Sequence, residues 1–489
     1  MADTNLQRLR RLLPAFSSYV GYFVAGLLLL GILVCLPWAT GDLTKWTVFA
    51  TAVFAVLFYG LTRLYKYWAR LSRKTRVWLL FLVGLMVKLS VVFLWKVKPV
   101  VDFLSFYDGA SHLASDQIVG TLRAERMALF PHYFGYSALL SLFFRVFGAG
   151  EAIHPILNAV VSSLGVLLVY DIGRHIKGEK TGFIGAVLWI FLPSQTLYNL
   201  LCFGEPVYTV LMLAGFSLLA RGGQAALESK VRKTAWYFAL FGLCMGVISL
   251  FRPIMPILLV AAAIWLFLFL QSGKREFLTR MGAFAGAMLI AFLFSEGGQA
   301  YLTLRLQEEV ATVPGFTLMV GLSESSGGRW NEADSKRLFS YIDAGMSPAA
   351  AQRQMWEDAK ERLLSGQIQR PIQLLAKKFV HFWRGDAMAV EYAAKVLPNP
   401  SFFKVVSNGF FYAMSLWAAW GAMLAMKRKE TSILAPVSLF AVGLTMAHLL
   451  VEVATRYHYS AVVSIVFLAA YGLSVRPDFS EGRNKHEQK

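Results

Sequence analysis

The stretch PHYFGYSALLSLFFRVFG, residues 131–148, decides how the rest of the chain is threaded. It is apolar enough to cross a bilayer, and if it crossed, every later connection would change sides. Its 18 residues include Arg145, Tyr133, Tyr136 and Phe147. Such residues suit a helix lying in the headgroup layer better than one buried in hydrocarbon.

The basic residues around it support the interfacial reading. One side of the apolar runs carries Arg8, Arg10 and Arg11, then Arg63, Lys66, Arg70, Arg73, Lys74 and Arg76 in RLYKYWARLSRKTR. The same side continues with Arg174, Lys177 and Lys180, then Arg221, Lys230, Arg232 and Lys233, then Lys274, Arg275 and Arg280. It ends with Lys427, Arg428 and Lys429 and a tail holding Arg476, Arg483, Lys485 and Lys489. Short loops on the other side hold at most one basic residue each. Cytoplasmic loops carry the excess of Lys and Arg. The alternation therefore places both termini in the cytoplasm and residues 131–148 in, or re-entering, the outer interface. Twelve spans are expected, at 17–36, 46–62, 77–95, 153–170, 182–197, 203–220, 235–250, 254–271, 281–297, 404–426, 431–450 and 459–475.

Composition agrees with an all-α polytopic membrane protein. The 489 residues are 57% hydrophobic and 16% charged, against roughly a quarter charged in soluble domains. The apolar runs are continuous, which speaks for helices and against a porin-type barrel. The net charge of +19 falls in clusters between spans, so it serves topology and membrane lipids; no nucleic-acid partner is expected. Cys35, Cys202 and Cys244 show no CxxC spacing, so neither a disulfide framework nor a cysteine metal site is expected. The first apolar run lacks a small-residue cleavage site and reads as a retained span. P-loop, GxGxxG, HExxH and GxSxG motifs are absent, which weakens nucleotide-driven and zinc-protease readings.

Polar residues facing outward carry the chemistry. Asp102 follows a span directly in PVVDFLSFY. Partial desolvation there should raise its pKa and make it a better base, unless it is an ordinary solvated loop aspartate. Asp108 would lie on a different helix face, placed to pair with His112 at i+4. Glu205 in FGEP is either the acid at a helix start before Pro206 or a second acid in the same cavity, placed to hold a hydroxyl or a metal. Arg252 in SLFRPIMP and Arg456 in EVATRYHYS are lone outward cations. They suit a phosphate clamp, or snorkelling, or a bridge from Arg456 to Glu452. In residues 298–403, SESSGGRWNEADSKRLF predicts a glycine turn and a helix capped at Asn331. SPAAAQRQMWEDAKERLLSG predicts a helix from Ser347 to Gly366. A further helix from Pro371 carries Lys377, Lys378, His381, Trp383 and Arg384, suited to the outer headgroup layer. Lys378 or His381 could reach a lipid phosphate, or simply anchor the helix.

Together these residues resemble the GT-C superfamily of membrane glycosyltransferases, and within it the protein O-mannosyltransferase and aminoarabinose transferase group. The likeness rests on the order and sidedness of Asp102, FPHYFGYSALLSLFFRVFG, FGEP, FRP and ATRYHYS across residues 77–475. Three departures stand out: Asp102 is followed by Phe103 rather than a second acid, the family's His-Pro-Pro is reduced to Pro131-His132, and two additional spans precede the core. The expected organisation is two extra spans in 1–76, a GT-C-like seven-span core in 77–297 with outer loop 96–152, an extracytoplasmic helical region in 298–403, and three spans with a tail in 404–489.

The resemblance implies a transferase that uses a polyprenyl-phosphate sugar at the outer face of the cell membrane. Asp102 would be the general base in an inverting displacement on a glycan, lipid or protein hydroxyl. Arg456, His458, Arg252 and Lys378 would hold the donor phosphate. Glu205, Asp108, His132, Tyr133 and Tyr457 would hold substrate. No metal ligand is assigned, although a divalent cation such as Mg or Mn is compatible with such an enzyme. The alternative is a lipid-linked glycan flippase or other secondary transporter. Spans nearly free of charge and the lack of an internal repeat weigh against it. A non-catalytic assembly scaffold has no distinguishing mark in the sequence.

Overall fold

A backbone crossing hydrocarbon must satisfy its N–H and C=O groups internally, which a helix does. In the computed structural model, which describes residues 2–270 and 273–475, every regular element is helical. Eight of the described helices are long and apolar enough to cross a membrane: Leu12–Val34, Gly41–Trp68, Arg73–Leu94, Ile153–Lys177, Glu205–Leu227, Val231–Ser249, Lys274–Leu306 and Pro400–Lys427. Three further expected spans fall on shorter apolar helices, Met255–Phe269, Leu434–Leu450 and Val462–Ser474. Phe16, Val56 and Leu94 stand exposed as hydrocarbon-facing surface, with Trp38, Trp46 and Trp78 exposed near helix ends, where aromatic belts lie. The basic tail beyond residue 475 lies outside the described residues.

The expected span 182–197 falls on two helices, Glu179–Phe191 and Pro193–Leu200, bent by 54°. Pro193 lacks an N–H and disfavours helical geometry in the residue before it, and Leu192 is accordingly extended.

The two N-terminal spans pack on the C-terminal ones, chiefly on Pro400–Lys427. That helix in turn lies against Val462–Ser474 so closely that a Cβ at Gly421 would come within 1.9 Å of the Leu468 carbonyl oxygen. Gly421→Ala is therefore expected to cost about 1–3 kcal/mol, as overpacking does, lowering the thermal midpoint in detergent. Gly282→Ala, where a Cβ would meet nothing within 4 Å, is expected to be neutral or slightly stabilising.

Residues 131–148 form the helix His132–Phe147, which is not among the qualifying spans. It buries Tyr133, Phe134, Tyr136, Leu140 and Phe144 and exposes Leu142, Val146 and Phe147. It packs on the helix Asp102–Ala114, and Gly135 N–H donates to the Leu250 carbonyl at 3.1 Å.

The region 298–403 is helical as expected. Asn331 caps Glu332–Asp343 by accepting from Asp334 N–H at 2.9 Å, and Ser347 caps Pro348–Leu364 by accepting from Ala350 N–H at 3.3 Å. These helices share a small core of Phe316, Met319, Leu338 and Met355 with Leu129. Buried Gln352 ties it down, accepting from Phe316 N–H at 2.8 Å and donating to the Leu129 carbonyl at 3.1 Å. Leu129 ends the helix Leu122–Leu129, so this clasp braces the element that carries Arg126.

Candidate active site

Alternating helices bring the chain segments around residues 102, 126, 205, 252 and 456 to one end of the bundle. Asp102 begins its helix after Val101, whose φ of 49° turns the chain sharply. Leu122–Leu129 is capped by Thr121, which accepts from Ala124 N–H at 3.2 Å, and it offers Arg126 in its last turn. Arg456 sits in the short 3₁₀ turn Thr455–His458 between the last two helices.

These elements meet at the Asp102 carboxylate. Arg126 Nη2 donates to Oδ1 at 3.0 Å and Arg456 Nη2 to Oδ2 at 2.7 Å. Arg126 also donates to the Tyr133 hydroxyl at 3.3 Å, and Arg456 to Tyr392 at 3.4 Å. Burial raises the Asp102 carboxyl, but Arg456 and Arg126, with the Tyr133 hydroxyl, outweigh it and hold it below the usual range. The expectation of a raised pKa is thus corrected: two guanidinium groups favour the charged form more than desolvation opposes it. Such a carboxylate is a weak base at neutral pH.

A second pair adjoins the first. Arg252 is ion-paired to the fully buried Glu205. Arg252 and Arg456 lie over the Tyr457 ring, at 5.3 and 5.4 Å from its centroid. Burial and the cations of Arg252, Arg456 and Arg126 hold His132 well below its usual value, against the opposing charge of Asp102. The structure therefore gathers Asp102, His132, Tyr133, Glu205, Arg252, Arg456 and Tyr457 into one electrostatic cluster.

Three expected site residues lie elsewhere. Asp108 pairs with Arg123 at 2.6 Å rather than with His112, because the neighbouring helix presents a permanently charged guanidinium. His458 is not free to hold a phosphate: Nδ1 lies 2.6 Å from the Phe382 carbonyl and Nε2 lies 3.2 Å from Asp386. Its ring is stacked on Trp383 and Phe411. Lys378 is buried and donates to the Gly321 carbonyl at 2.8 Å. Burial lowers it to about 8.

Sequence reasoning passed over Arg126 and treated Glu452 only as a bridge partner for Arg456. The signal for Arg126 was available: it is a cation in an outward loop, against the charge bias. Glu452 lies in the turn before Arg456, its N–H donating to the Thr317 carbonyl at 2.7 Å and its carbonyl facing His448 Nδ1 at 2.9 Å. Its carboxyl forms no ion pair among the described residues. Burial pushes it up to about 7, opposed by Arg456 and Arg252 and helped by Asp102. Among the described residues no three His, Cys, Asp or Glu side chains converge as a divalent-cation cage requires. With both Asp102 oxygens held by arginine, these side chains do not fit a metal site, and no step below is routed through one.

Residues 132–296 match the family described as dolichyl-phosphate-mannose-protein mannosyltransferase. No curated protein matches the sequence. Among solved structures the chain is similar to the oligosaccharyltransferase AglB of Archaeoglobus fulgidus, in complex with an inhibitory peptide and a dolichol-phosphate, at 14% identity and a TM-score of 0.46. That match covers 85% of this chain and 54% of AglB, so the chain spans about half its length. It is also similar to ArnT from Cupriavidus metallidurans bound to undecaprenyl phosphate, at 13% identity and a TM-score of 0.39, over 82% of this chain and 78% of ArnT. The chain resembles the GT-C superfamily glycosyltransferases, a likeness carried here by the family match.

Proposed function

We propose that the chain moves a sugar from a polyprenyl-phosphate donor to an acceptor hydroxyl at the outer face of the membrane, with inversion. The observation that carries this reading is the convergence of Arg126, Arg252 and Arg456 on a cluster where Asp102 and Glu205 are their only ion-pair partners among the described residues. The Nε–H groups of Arg126 and Arg456 are buried without a partner among the described residues, a costly state that a bound anion relieves. A phosphodiester headgroup supplies that anion, and its polyprenyl tail stays in the bilayer. As the glycosidic bond breaks, the phosphate gains charge, and fixed guanidinium groups stabilise that gain. Asp102 orients Arg126 and Arg456; Tyr133, His132 and Tyr457 line the place where sugar and acceptor meet. The basic loops at the opposite end of the bundle favour a cytoplasmic location for that end and an outer location for the site.

The test is incubation of the purified protein with a short-chain polyprenyl-phosphate sugar. Release of polyprenyl phosphate, with sugar passed to an acceptor or to water, is the expected result; an unconsumed donor contradicts it. A second reading, a flippase for a lipid-linked glycan, draws on the span broken at Pro193 and the fully buried Lys88 within Arg73–Leu94, since broken helices and buried charges mark transport paths. It predicts movement of donor across proteoliposomes without consumption.

A further inference from the structure

We infer that Asp386, between the helices Pro371–Trp383 and Met388–Ala393, is a positioning residue for transfer: it fixes the turn Thr455–His458 and so aims Arg456 at the donor phosphate. The inference rests on the transferase reading above. A guanidinium stabilises developing charge best when it is held in place before the bond breaks. Arg456 sits in a turn of only four residues. What holds that turn comes from outside it.

His458 is the anchor. Its ring is stacked on Trp383 and Phe411, within 4° and 15° of their planes. Its Nδ1 donates to the Phe382 carbonyl at 2.6 Å, since a carbonyl oxygen only accepts. Its Nε2 faces Asp386 Oδ1 at 3.2 Å, and the two share a proton. At the start of the same turn Thr455 Oγ1 donates to the His381 carbonyl at 2.8 Å.

Asp386 is itself fixed from two sides. Its Oδ2 accepts from the Ser194 hydroxyl, and its N–H donates to Asn408 Oδ1 at 2.9 Å. Ser194 belongs to the short helix Pro193–Leu197 that follows the bend at Pro193. The next residue, Gln195, donates from Nε2 to the Tyr459 carbonyl at 3.2 Å. The segment after the bend is thereby tied to the Arg456 turn twice, once through Asp386 and once directly. Ser194, Gln195, Asp386 and His458 are each 1% exposed or less, so these bonds form away from water, where they are strongest. Two residues before His458, Arg456 reaches Asp102 at 2.7 Å and Tyr392 at 3.4 Å. Tyr392 stands in the helix that begins two residues after Asp386. One stretch of chain therefore grips the turn at both His458 and Arg456.

The experiment is a kinetic double-mutant cycle with a short-chain polyprenyl-phosphate sugar. It uses wild type, Asp386→Ala, Arg456→Ala and the double variant, with Asp386→Asn added. Monodisperse elution in detergent shows that each variant is folded. Asp386→Ala is expected to lose about 10²-fold in kcat, the loss that a misplacement of about 1 Å produces. In the Arg456→Ala background the same change is expected to cost less than about twofold, because no guanidinium is left to aim. Asp386→Asn is expected to recover most of the rate. Its amide keeps both bonds, accepting from Ser194 and donating to His458 Nε2. Should Asp386→Ala not elute as a monodisperse protein, Ser194→Ala takes its place in the cycle. Its expected loss is about threefold to tenfold, that of one hydrogen bond, and again none without Arg456. Losses that multiply in the double variant overturn the inference in favour of a purely structural role. Asp386→Asn as slow as Asp386→Ala overturns it too. Either result leaves the transferase standing. Wild-type protein that binds the donor but never consumes it overturns the transferase and this inference together.

Discussion

Arg456→Ala is expected to lower the rate of transfer by about 10²- to 10³-fold, the usual loss when one fixed donor to a developing oxyanion is removed. Most of that loss should appear in kcat, because the phosphate gains charge only as the glycosidic bond breaks. Arg456→Lys should recover only part of it. Lysine is a point charge and cannot span Asp102 and Tyr392 as the guanidinium does, at 2.7 and 3.4 Å. The removal also releases one of the two cations that depress Asp102, so its carboxyl should move up in the variant. Steady-state kinetics on the purified variants measures the loss, and an unchanged kcat with a raised KM would mean that Arg456 merely binds the ground state.

Glu205→Ala is expected to be the most destabilising single change at the site. Glu205 is 1% exposed and is the ion-pair partner of Arg252. Truncation strands the guanidinium in a poorly solvated turn, a situation that costs about 3–5 kcal/mol when a buried pair is broken from one side. The double change Glu205→Ala with Arg252→Ala should cost less than the sum of the singles, because no stranded charge remains. Thermal unfolding in detergent reads both effects, and strict additivity would mean that the pair is not coupled.

Much of this architecture is legible in the sequence because membranes impose simple rules. The apolar runs mark helices. Short side chains at Asn331 and Ser347 announce helix starts that the structure places within one residue of expectation. Residues 131–148 form a helix of 16 residues, shorter than the qualifying spans, and its Arg145 reaches the Leu113 carbonyl at 3.0 Å and Asp116 at 2.9 Å.

What was not legible depends on contacts between distant segments. Asp102 and Arg456 lie 354 positions apart yet share a hydrogen bond, and no local pattern states that pairing. Asp102 looked like a desolvated base because its own neighbours are apolar; the two arginines that reverse that expectation arrive from elsewhere. His458 looked equivalent to Arg456, two residues away. The 3₁₀ turn sends them in different directions, one to the cluster and one to a buried niche between Trp383 and Phe411. Pro193 was visible, but its 54° consequence was hidden by the apolar run on either side.

The central claim is that arginines from three remote segments enclose one lipid phosphate. The most direct measurement is an experimental structure of the protein bound to a short-chain polyprenyl phosphate. The account predicts the phosphate within hydrogen-bonding distance of Arg456 and Arg252, with its tail leaving between helices toward the bilayer. A phosphate seated elsewhere, with Arg126, Arg252 and Arg456 still ion-paired to Asp102 and Glu205 alone, would contradict it.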